Sequence, residues 1–378
     1  MKKTLFILLC LSPVVTGFGQ EINRTSMRLP QEILGYQVLK CDFHLHTIFS
    51  DGMVWPTVRV DEAIAEGIDA ISITDHIESR PRMKGIGVEN LSHSIAYDIA
   101  KSNAQAAGVI LIPAVEITKE APPGHFNALF VQDADRFEQT YNHNNPRDGG
   151  YIRESLQEAR KQGAFIFWNH PWYQIPGTLS IWHPIIDSLH KEGYIDGIEV
   201  INGTKYDPVI LGWVQSKSLA NIANTDLHTP SVFGGDHFRT MTLVFAKERS
   251  AQGIREALDN RRSVSYSEGN LYGDQKFLEE LFHKSIEIQA TCNGNNGGAL
   301  VIKNTSSITY KISFIDTDLL RISSYSGGLT IPGLGDTAAS VSYQAGFAAK
   351  RSFKVKVSVA NLEVAPGVAL ETTLDVVF

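Results

Sequence analysis

Side chains that bind metals recur through the first 228 residues, and most of them stand where a predicted strand ends. Two motifs, HLH at 44–46 and DLH at 226–228, each place two such side chains two residues apart, so both face the same side of a strand. The full set of nine is His44, His46, Asp51, His76, Glu116, His125, His170, Asp226 and His228. Because functional sites of α/β folds assemble at the carboxyl ends of the strands, we expect the fold to bring these nine together.

The surrounding sequence alternates short apolar runs with amphipathic helices, as an α/β fold requires. Pro56 opens one predicted helix and Gly67 closes it, which matches the preference for proline at a helix start and glycine after its end. The predicted strands of this part are 38–46, 69–74, 109–117, 126–131, 164–168, 195–200, 219–224 and 240–246. The alternation predicts parallel βα units, arranged either as a barrel or as an open doubly wound sheet.

The apolar period changes after about residue 284, where segments such as KRSFKVKVSVA alternate apolar with polar residues. A period of two with turn-rich separators predicts a small antiparallel β-sandwich of about six to seven strands. The expected organisation is a signal peptide at 1–20, an N-terminal segment at 21–39, an α/β domain at 40–268, a connecting helix at 269–284 and the β-sandwich at 285–378.

Composition narrows the range of partners. The chain is 43% hydrophobic and 20% charged, as soluble globular proteins are, and its net charge of −7 argues against a nucleic-acid polymer as partner. Lys2 and Lys3 precede an apolar run at 5–15, followed by Gly17 and Gly19, which is the order of a secretory signal peptide. That run is too short to span a bilayer. We expect a periplasmic or secreted protein without stable membrane insertion.

The nine side chains comprise six imidazoles and three carboxylates. A lone histidine after a strand is more often structural, but five separate segments each supply a candidate ligand here, which favours a multinuclear metal site. Mixed nitrogen and oxygen ligands suit Zn, Mn or Fe(II) better than Mg or Ca. A surface-binding protein with purely structural metals is an alternative, although structural sites are usually closed by four protein ligands.

The motifs resemble those of the polymerase and histidinol phosphatase (PHP) superfamily of metal-dependent phosphoesterases. The matching segments are HLHTIFSDG at 44–52, TDHIE at 74–78, Glu116 with His125, NHP at 169–171 and TDLH at 225–228. The resemblance covers about residues 40–268 and implies a distorted (β/α)7 barrel with a trinuclear site. The remainder looks like secreted members that carry an appended Ig-like β-sandwich, some of which cleave phosphodiesters.

The resemblance also implies how the ligands are shared among three divalent ions. The first set is His44, His46, Glu116 and Asp226; the second is Asp51, His76 and His228; the third is Glu116, His125 and His170. Glu116 would then bridge two metals. Within these sets, the residues expected to be catalytic are Asp51, His76, Glu116, Asp226 and His228.

The activity expected from the resemblance is hydrolysis of a small-molecule phosphate ester by a metal-activated water, with a slight lean to phosphodiesters. A phosphomonoesterase like histidinol phosphatase is an alternative, as is an amidohydrolase-like C–N hydrolase, although no strand-end lysine suits carbamylation. Arg80, Lys119 and Arg239 follow ligand-bearing strands and are candidates to hold phosphate oxygens, or else solvated surface charges. The aromatic residues around His170 are candidates for a substrate wall or for core packing: Trp168, Trp172 and Tyr173.

Overall fold

The computed structural model describes residues 26–78, 91–173, 180–233, 237–292, 297–316, 320–323, 328–343 and 352–378. The expected signal peptide at 1–20 and the candidate phosphate ligand Arg80 lie outside these residues. Among the residues described, no helix is both long enough and apolar enough to cross a bilayer.

Local sequence signals set the helix ends. The helices of the described ranges are α1 (Pro56–Glu66), α2 (Ile95–Ala107), α3 (Ile152–Lys161), α4 (Pro184–Lys191), α5 (Pro208–Lys217), α6 (Ala251–Asp259) and α7 (Gln275–Ser285). Proline stands in the first turn of α1, α4 and α5, where its missing N–H leaves no hydrogen bond unmade. Gly67 ends α1 in the left-handed conformation with φ 66°. Helix α7 lies in the segment predicted to connect the two parts of the chain.

The strands before α7 are β1 (Glu32–Ile33), β2 (Tyr36–Leu45), β3 (Ala70–Ile73), β4 (Ile110–Leu111), β5 (Ala114–Thr118), β6 (His125–Leu129), β7 (Phe165–Trp168), β8 (Gly197–Asn202), β9 (Lys205–Tyr206), β10 (Ala220–Asn224), β11 (Met241–Ala246), β12 (Ser263–Ser267) and β13 (Asn270–Tyr272). Those after it are β14 (Ile286–Cys292), β15 (Gly297–Asn304), β16 (Tyr310–Asp316), β17 (Leu320–Ser323), β18 (Gly328–Ile331), β19 (Asp336–Tyr343), β20 (Ser352–Ala365) and β21 (Val368–Val377). The fold is therefore mixed α/β, with a β-rich part after α7.

These strands form three sheets. The largest has the order β18-β16-β20-β13-β12-β11-β2-β3-β4, with β1 beside β2 and β21 beside β20. A second sheet runs β10-β8-β7-β6-β5, with β9 beside β8, and a third runs β14-β15-β19-β17. The β-rich part is thus divided between the third sheet and one end of the largest.

The parallel pairing expected from the alternation occurs in only part of the α/β region. Strands β2 and β3 are parallel, as are β8 and its neighbours β7 and β10, but β6 is antiparallel to both β5 and β7. Only residues 119–124 separate β5 from β6. A parallel crossover needs about a dozen residues or more, so this short connection forces the antiparallel arrangement.

The two sheets of the α/β region meet at two seams. At one, Leu45 forms a parallel bridge with Leu227, and the backbone N–H of His46 donates to Leu227 at 3.0 Å. At the other, His76 forms a parallel bridge with Glu116. Both seams lie where ligand candidates stand, so backbone hydrogen bonds tie the ligand-bearing segments of the two sheets together.

The hydrophobic core continues from the α/β part into the β-rich part. Leu243 of β11, Phe277 of α7 and Val357 of β20 belong to one buried cluster. Leu271 of β13 pairs in parallel register with Leu362 of β20. The two parts of the chain therefore share a sheet and a core.

Candidate metal centre

All nine ligand candidates converge on one end of the α/β region. Their positions are His44 in β2 and His46 just after it, Asp51 in the following loop, His76 after β3, Glu116 in β5, His125 at the start of β6, His170 after β7, and Asp226 with His228 after β10. The ends of six strands thus supply one cluster, as the spacing of the motifs predicts.

Glu116 lies at the centre of this cluster and is fully buried. Its Oε2 atom is 3.3 Å from His44 Nε2, 3.2 Å from His46 Nε2 and 3.0 Å from His76 Nδ1. Its other oxygen, Oε1, is 3.0 Å from His125 Nδ1 and 3.7 Å from His170 Nε2. One carboxylate therefore faces five imidazoles, which is the arrangement of a bridging ligand.

The side chains fall into four overlapping groups that could each hold an ion. The groups are His46–Asp51–His76–His228, His44–His170–Asp226, His44–His46–Glu116 and His76–Glu116–His125. The expected set Asp51, His76 and His228 recurs with His46 added. His170, expected with Glu116 and His125, is instead grouped with His44 and Asp226.

The loop that carries Asp51 is shaped by close backbone packing. The N–H of Gly52 donates to the Thr47 carbonyl at 2.9 Å, and a Cβ at Gly52 would lie 2.6 Å from the His46 carbonyl carbon. Asp75 accepts from the hydroxyls of Thr47 and Ser50 at 2.5 and 2.6 Å. Only glycine fits at position 52, which explains the SDG motif.

Sequence reasoning missed the side chains that hold the ligands in place. Glu199 accepts from His44 Nδ1 at 2.8 Å, Asn169 Nδ2 donates to Glu116 at 3.0 Å, and Thr118 Oγ1 lies 2.5 Å from His76 Nδ1. Glu199 left one signal, because it is the charged residue inside the apolar strand GIEVIN. A charge in a fully buried strand needs a partner, so this position is detectable from the sequence.

The protonation of the cluster follows from the balance between burial and opposite charge. Burial alone would lower the pKa of His46, but its contacts with Asp226 and Glu116 outweigh this and raise the pKa to about 10. Burial would raise the pKa of Glu116, yet His76, His44 and other imidazoles hold it well below its usual range. Burial lowers the pKa of His125 to about 4. The central carboxylate is thus ionised at neutral pH, while His125 is a neutral imidazole able to bind a metal.

Two facing atoms in the cluster fit a shared cation. His46 Nε2 and Asp226 Oδ1 lie 3.0 Å apart, but within the described residues neither has a partner in hydrogen-bonding geometry, and both are buried. A buried polar atom left without a partner costs about 1–3 kcal/mol. A divalent ion that replaced the proton of His46 would contact both atoms, so the donor set fits the metals that the sequence predicts.

The cluster opens to solvent on one side. The side chains of His44, His46 and Glu116 are fully buried, whereas Asp51 is 17% exposed and His228 is 36% exposed. Tyr173, which is 43% exposed, has its ring centroid 5.0 Å from that of His125 and 5.1 Å from that of His170. The exposed part of the cluster is therefore at Asp51 and His228, and Tyr173 lies beside His125 and His170.

The two described candidates for phosphate binding are buried in ion pairs. Lys119 Nζ lies 2.8 Å from Glu78 and donates to the Pro146 carbonyl at 3.1 Å. Burial raises the pKa of Glu78 to about 7 in spite of this ammonium group. Arg239 Nε lies 2.7 Å from Glu66. Both cations are engaged by acidic side chains of this chain, and their contact with a phosphate stays a prediction.

Two ligand candidates have backbone conformations that L-residues rarely adopt. Asp226 has φ 55° and His170 has φ 26°. Such conformations cost on the order of 1–3 kcal/mol and cluster at functional sites, where surrounding bonds hold them. At His170 the surrounding bond is the backbone N–H donating to Glu199 at 2.8 Å.

Comparison with known proteins gives a strong likeness to a solved structure. A crystal structure from Bacteroides vulgatus ATCC 8482, of a two-domain protein containing a predicted PHP-like metal-dependent phosphoesterase, is 38% identical, with a TM-score of 0.83. The match covers 93% of this chain and 99% of that one. No family model and no curated protein matches the chain.

Two further structures are more distant. A proposed metal-dependent phosphoesterase from Bifidobacterium adolescentis ATCC 15703 is 15% identical, covering 58% of this chain and 96% of that one, with a TM-score of 0.40. An amidohydrolase from Chromobacterium violaceum is 16% identical, covering 52% and 89%, with a TM-score of 0.37. Neither likeness is close enough to carry an argument. The first match, across nearly the whole of both chains, shows that this protein belongs to the family of PHP-like metal-dependent phosphoesterases.

Proposed function

We propose that this protein hydrolyses phosphate esters at a site of three divalent metal ions, with a preference for phosphodiesters. The observation that carries the proposal is the position of Glu116, whose two oxygens face different imidazoles of one buried cluster. A single carboxylate between several groups of ligands supports more than one ion. Three carboxylates among nine ligands also leave room for the negative charge of a phosphate.

When bound, the metals would supply Lewis-acid chemistry, lowering the pKa of a water and neutralising charge on the phosphoryl oxygens. The residues of the chain bind the ions and orient them. His44, His46 and Glu116 form the closed floor of the site, while Asp51 and His228 stand at its open side. Phosphoryl transfer depends mainly on positioning and charge stabilisation, so the site needs no nucleophilic serine or cysteine.

The proposed architecture is a distorted (β/α)7 barrel followed by an Ig-like β-sandwich. Two bridges support the barrel, because Leu45↔Leu227 and His76↔Glu116 link the two sheets of the α/β region at both seams. Counting around the seams gives seven strands, β2, β3, β5, β6, β7, β8 and β10. Facing layers built from β14–β21 would be the sandwich.

The metals proposed are Zn, Mn or Fe, since six of the nine ligands are imidazoles. The substrate proposed is a small molecule, because a net charge of −7 does not favour binding of a polyanionic backbone. The signal-peptide pattern of residues 1–20 supports action in the periplasm or outside the cell. The lean to diesters rests on this pattern together with the appended β-rich part.

A metal-by-substrate matrix tests the proposal. The protein is stripped with a chelator, reloaded separately with Zn²⁺, Mn²⁺ or Fe²⁺, and assayed on an aryl phosphate monoester, the matching diester, cyclic nucleotides and an aryl amide. We expect hydrolysis of the diester to exceed that of the monoester and to need added metal. Faster hydrolysis of the monoester would show that the protein is a phosphatase and not a phosphodiesterase. Hydrolysis of the amide alone would contradict phosphoesterase activity.

Substitutions at the open side test whether these ligands act in turnover. We expect His76→Ala and His228→Ala to abolish hydrolysis without unfolding the β-rich part. The matched control is His283→Ala, since His283 lies on α7 and contacts Thr372 instead of the cluster. Near-normal hydrolysis by either cluster variant would contradict the assignment of these residues.

A further inference from the structure

Glu199 is a fully buried carboxylate outside the set of nine ligands. It lies in the middle of β8, and both of its oxygens point towards the metal centre. Its Oε1 atom accepts from His44 Nδ1 and from Asn224 Nδ2, each at 2.8 Å. Its Oε2 atom accepts from the backbone N–H of His170 at 2.8 Å and from Asn202 Nδ2 at 3.1 Å. All four neighbours are donors, so the site is built for a carboxylate.

The contact with His44 decides which ring nitrogen can bind a metal. A carboxylate only accepts hydrogen bonds, so Nδ1 of His44 carries the proton. In the neutral ring that metal binding requires, Nε2 then carries the lone pair, and this atom faces the cluster, 3.2 Å from Asp226 and 3.3 Å from Glu116. A carboxylate behind a metal-binding histidine fixes its tautomer and ring orientation in this way.

The second oxygen of Glu199 acts on two other ligand candidates. It holds the backbone of His170 in its unusual conformation, with φ 26°. It also shares the amide of Asn202 with Asp226, whose Oδ2 lies 3.1 Å from Asn202 Nδ2. His44, His170 and Asp226 form one of the candidate metal groups, so a single carboxylate contacts or indirectly positions all three of its members.

We propose that Glu199 is the positioning residue for the His44–His170–Asp226 group and that metal binding there depends on it. This inference rests on the proposed function, because it requires the cluster to bind metals. It goes further by assigning a role to a residue that is not a ligand and by making the metal groups differ in how far they depend on that residue. The group of His46, Asp51, His76 and His228 has no contact with Glu199 among the hydrogen bonds described, and the loss of Glu199 should affect its binding least.

Glu199→Gln tests the proposal because an amide cannot serve both sides of this site. If the amide nitrogen faces His44, the ring must accept at Nδ1, and its proton moves to Nε2, where a metal would bind. If the amide oxygen faces His44, the NH2 group opposes the donors of His170 and Asn202. Either orientation disturbs the same metal group, and loss of such a partner typically lowers metal affinity about 10–100-fold.

The alternative role for Glu199 is simply to tie β7 to β8, and Asp196 provides a matched control for it. Asp196 lies just before β8 and accepts from the backbone N–H of Ile166 in β7 at 2.8 Å. It thus makes the same kind of tie at the opposite end of these strands, away from the cluster. Asp196→Asn should destabilise the fold without changing metal binding.

The experiment is a titration of the metal-free full chain with Co²⁺, followed by visible absorption and by the number of ions retained after dialysis. For Glu199→Gln we expect a 10–100-fold weaker affinity for part of the bound Co²⁺, with the rest bound as in the wild type. We also expect Glu199→Gln to have a smaller effect in a His44→Ala background, where only its contacts with His170 and Asn202 can still act. Asp196→Asn should bind as the wild type does.

The outcomes distinguish a failure of the proposed metal function from a failure of the proposed role of Glu199. If the wild type binds no Co²⁺, the proposed metal function fails. If the wild type binds and Glu199→Gln binds equally, or if Asp196→Asn loses the same ions, the role of Glu199 is overturned and the metal site stands. Should Glu199→Gln not fold, Asn202→Ala removes only the link to Asp226. Weaker Co²⁺ binding by that variant supports the proposal, and unchanged binding overturns it.

Discussion

The metal centre and the hairpin of β20 and β21 bury opposite kinds of side chain. In β20, Phe353, Val355 and Val357 point inwards, while Lys354 and Lys356 point to solvent. In the metal centre the buried side chains are themselves imidazoles and carboxylates. The hairpin gains stability by removing apolar surface from water, at roughly 25 cal/mol per Å². The cluster gains none of this and requires opposite charges to offset the burial of its own.

This difference indicates where stability and chemistry reside. The apolar core runs from Leu243 in the α/β part to Val357 in β20, so the β-rich part supports the strands that carry the ligands. The cluster adds buried polar atoms that make no hydrogen bond of good geometry, among them His46 Nε2 and Asp226 Oδ1. We therefore expect substitutions in the cluster to change turnover and metal content, and substitutions in the hairpin to change stability alone.

Of the variants that test this difference, Glu116→Gln is expected to have the largest effect on turnover. The amide cannot bridge ions as a carboxylate does, so the variant should lose more than one metal per chain. Metals supply several kcal/mol of transition-state stabilisation, so we expect hydrolysis to fall by at least about 10³-fold. Elemental analysis of the dialysed protein and a diester assay measure both quantities. Glu287→Gln, on the exposed face of β14, is the control. Full metal occupancy in Glu116→Gln would contradict the proposal that Glu116 bridges two metal ions.

A smaller effect is expected for Gly52→Ala. The added methyl group would lie 2.6 Å from the His46 carbonyl carbon, so the loop that carries Asp51 must shift. Displacement of one ligand should reduce turnover about 10–100-fold and weaken one metal group, as loss of a supporting contact does. Gly163→Ala is the control, because Gly163 has φ 75° but no atom within 4 Å of the new methyl group. Equal turnover in the two variants would show that the loop carrying Asp51 does not depend on the close approach of Gly52 to the His46 carbonyl.

Much of the site was predictable because its ligands come in motifs tied to strand ends. The HLH and TDLH segments place their side chains by the two-residue period of a strand, and that period also places Cys41 with Phe43 in the core. The residues behind the ligands were not predictable in the same way. Glu199 contacts His44 across 155 positions of sequence, and no local period encodes such a contact.

The alternation of strands and helices predicted one pairing direction wrongly, and charge partners were beyond the sequence. The alternation of strands and helices predicts parallel pairs, but the six residues between β5 and β6 impose an antiparallel one. Lys119 follows a ligand-bearing strand as a substrate-binding residue would, yet the fold places it against Glu78. The short connection is a local feature that outweighs the alternation, whereas the partner of Lys119 is decided by a tertiary contact.

The smallest effect on turnover, and a large effect on stability, is expected for Leu374→Ala in β21. Leu374 is 1% exposed within the core that the two parts share. Removing a buried leucine side chain costs about 2–5 kcal/mol. Lys356→Ala on the exposed face of β20 removes only a surface pair with Glu371 and should cost about 0–1 kcal/mol. Chemical denaturation gives the free energy of unfolding, and the diester assay at low temperature gives turnover.

The same variant tests whether the two regions unfold together. A shared core predicts that Leu374→Ala lowers the protection of backbone amides against hydrogen exchange in β2, which carries His44 and contributes Leu45 to that core, as much as in β20. Loss of protection confined to β20 and β21 would show that the β-rich part unfolds on its own. The hairpin and the metal centre would then belong to two units that unfold independently, because the hairpin would not stabilise the strands that carry the ligands.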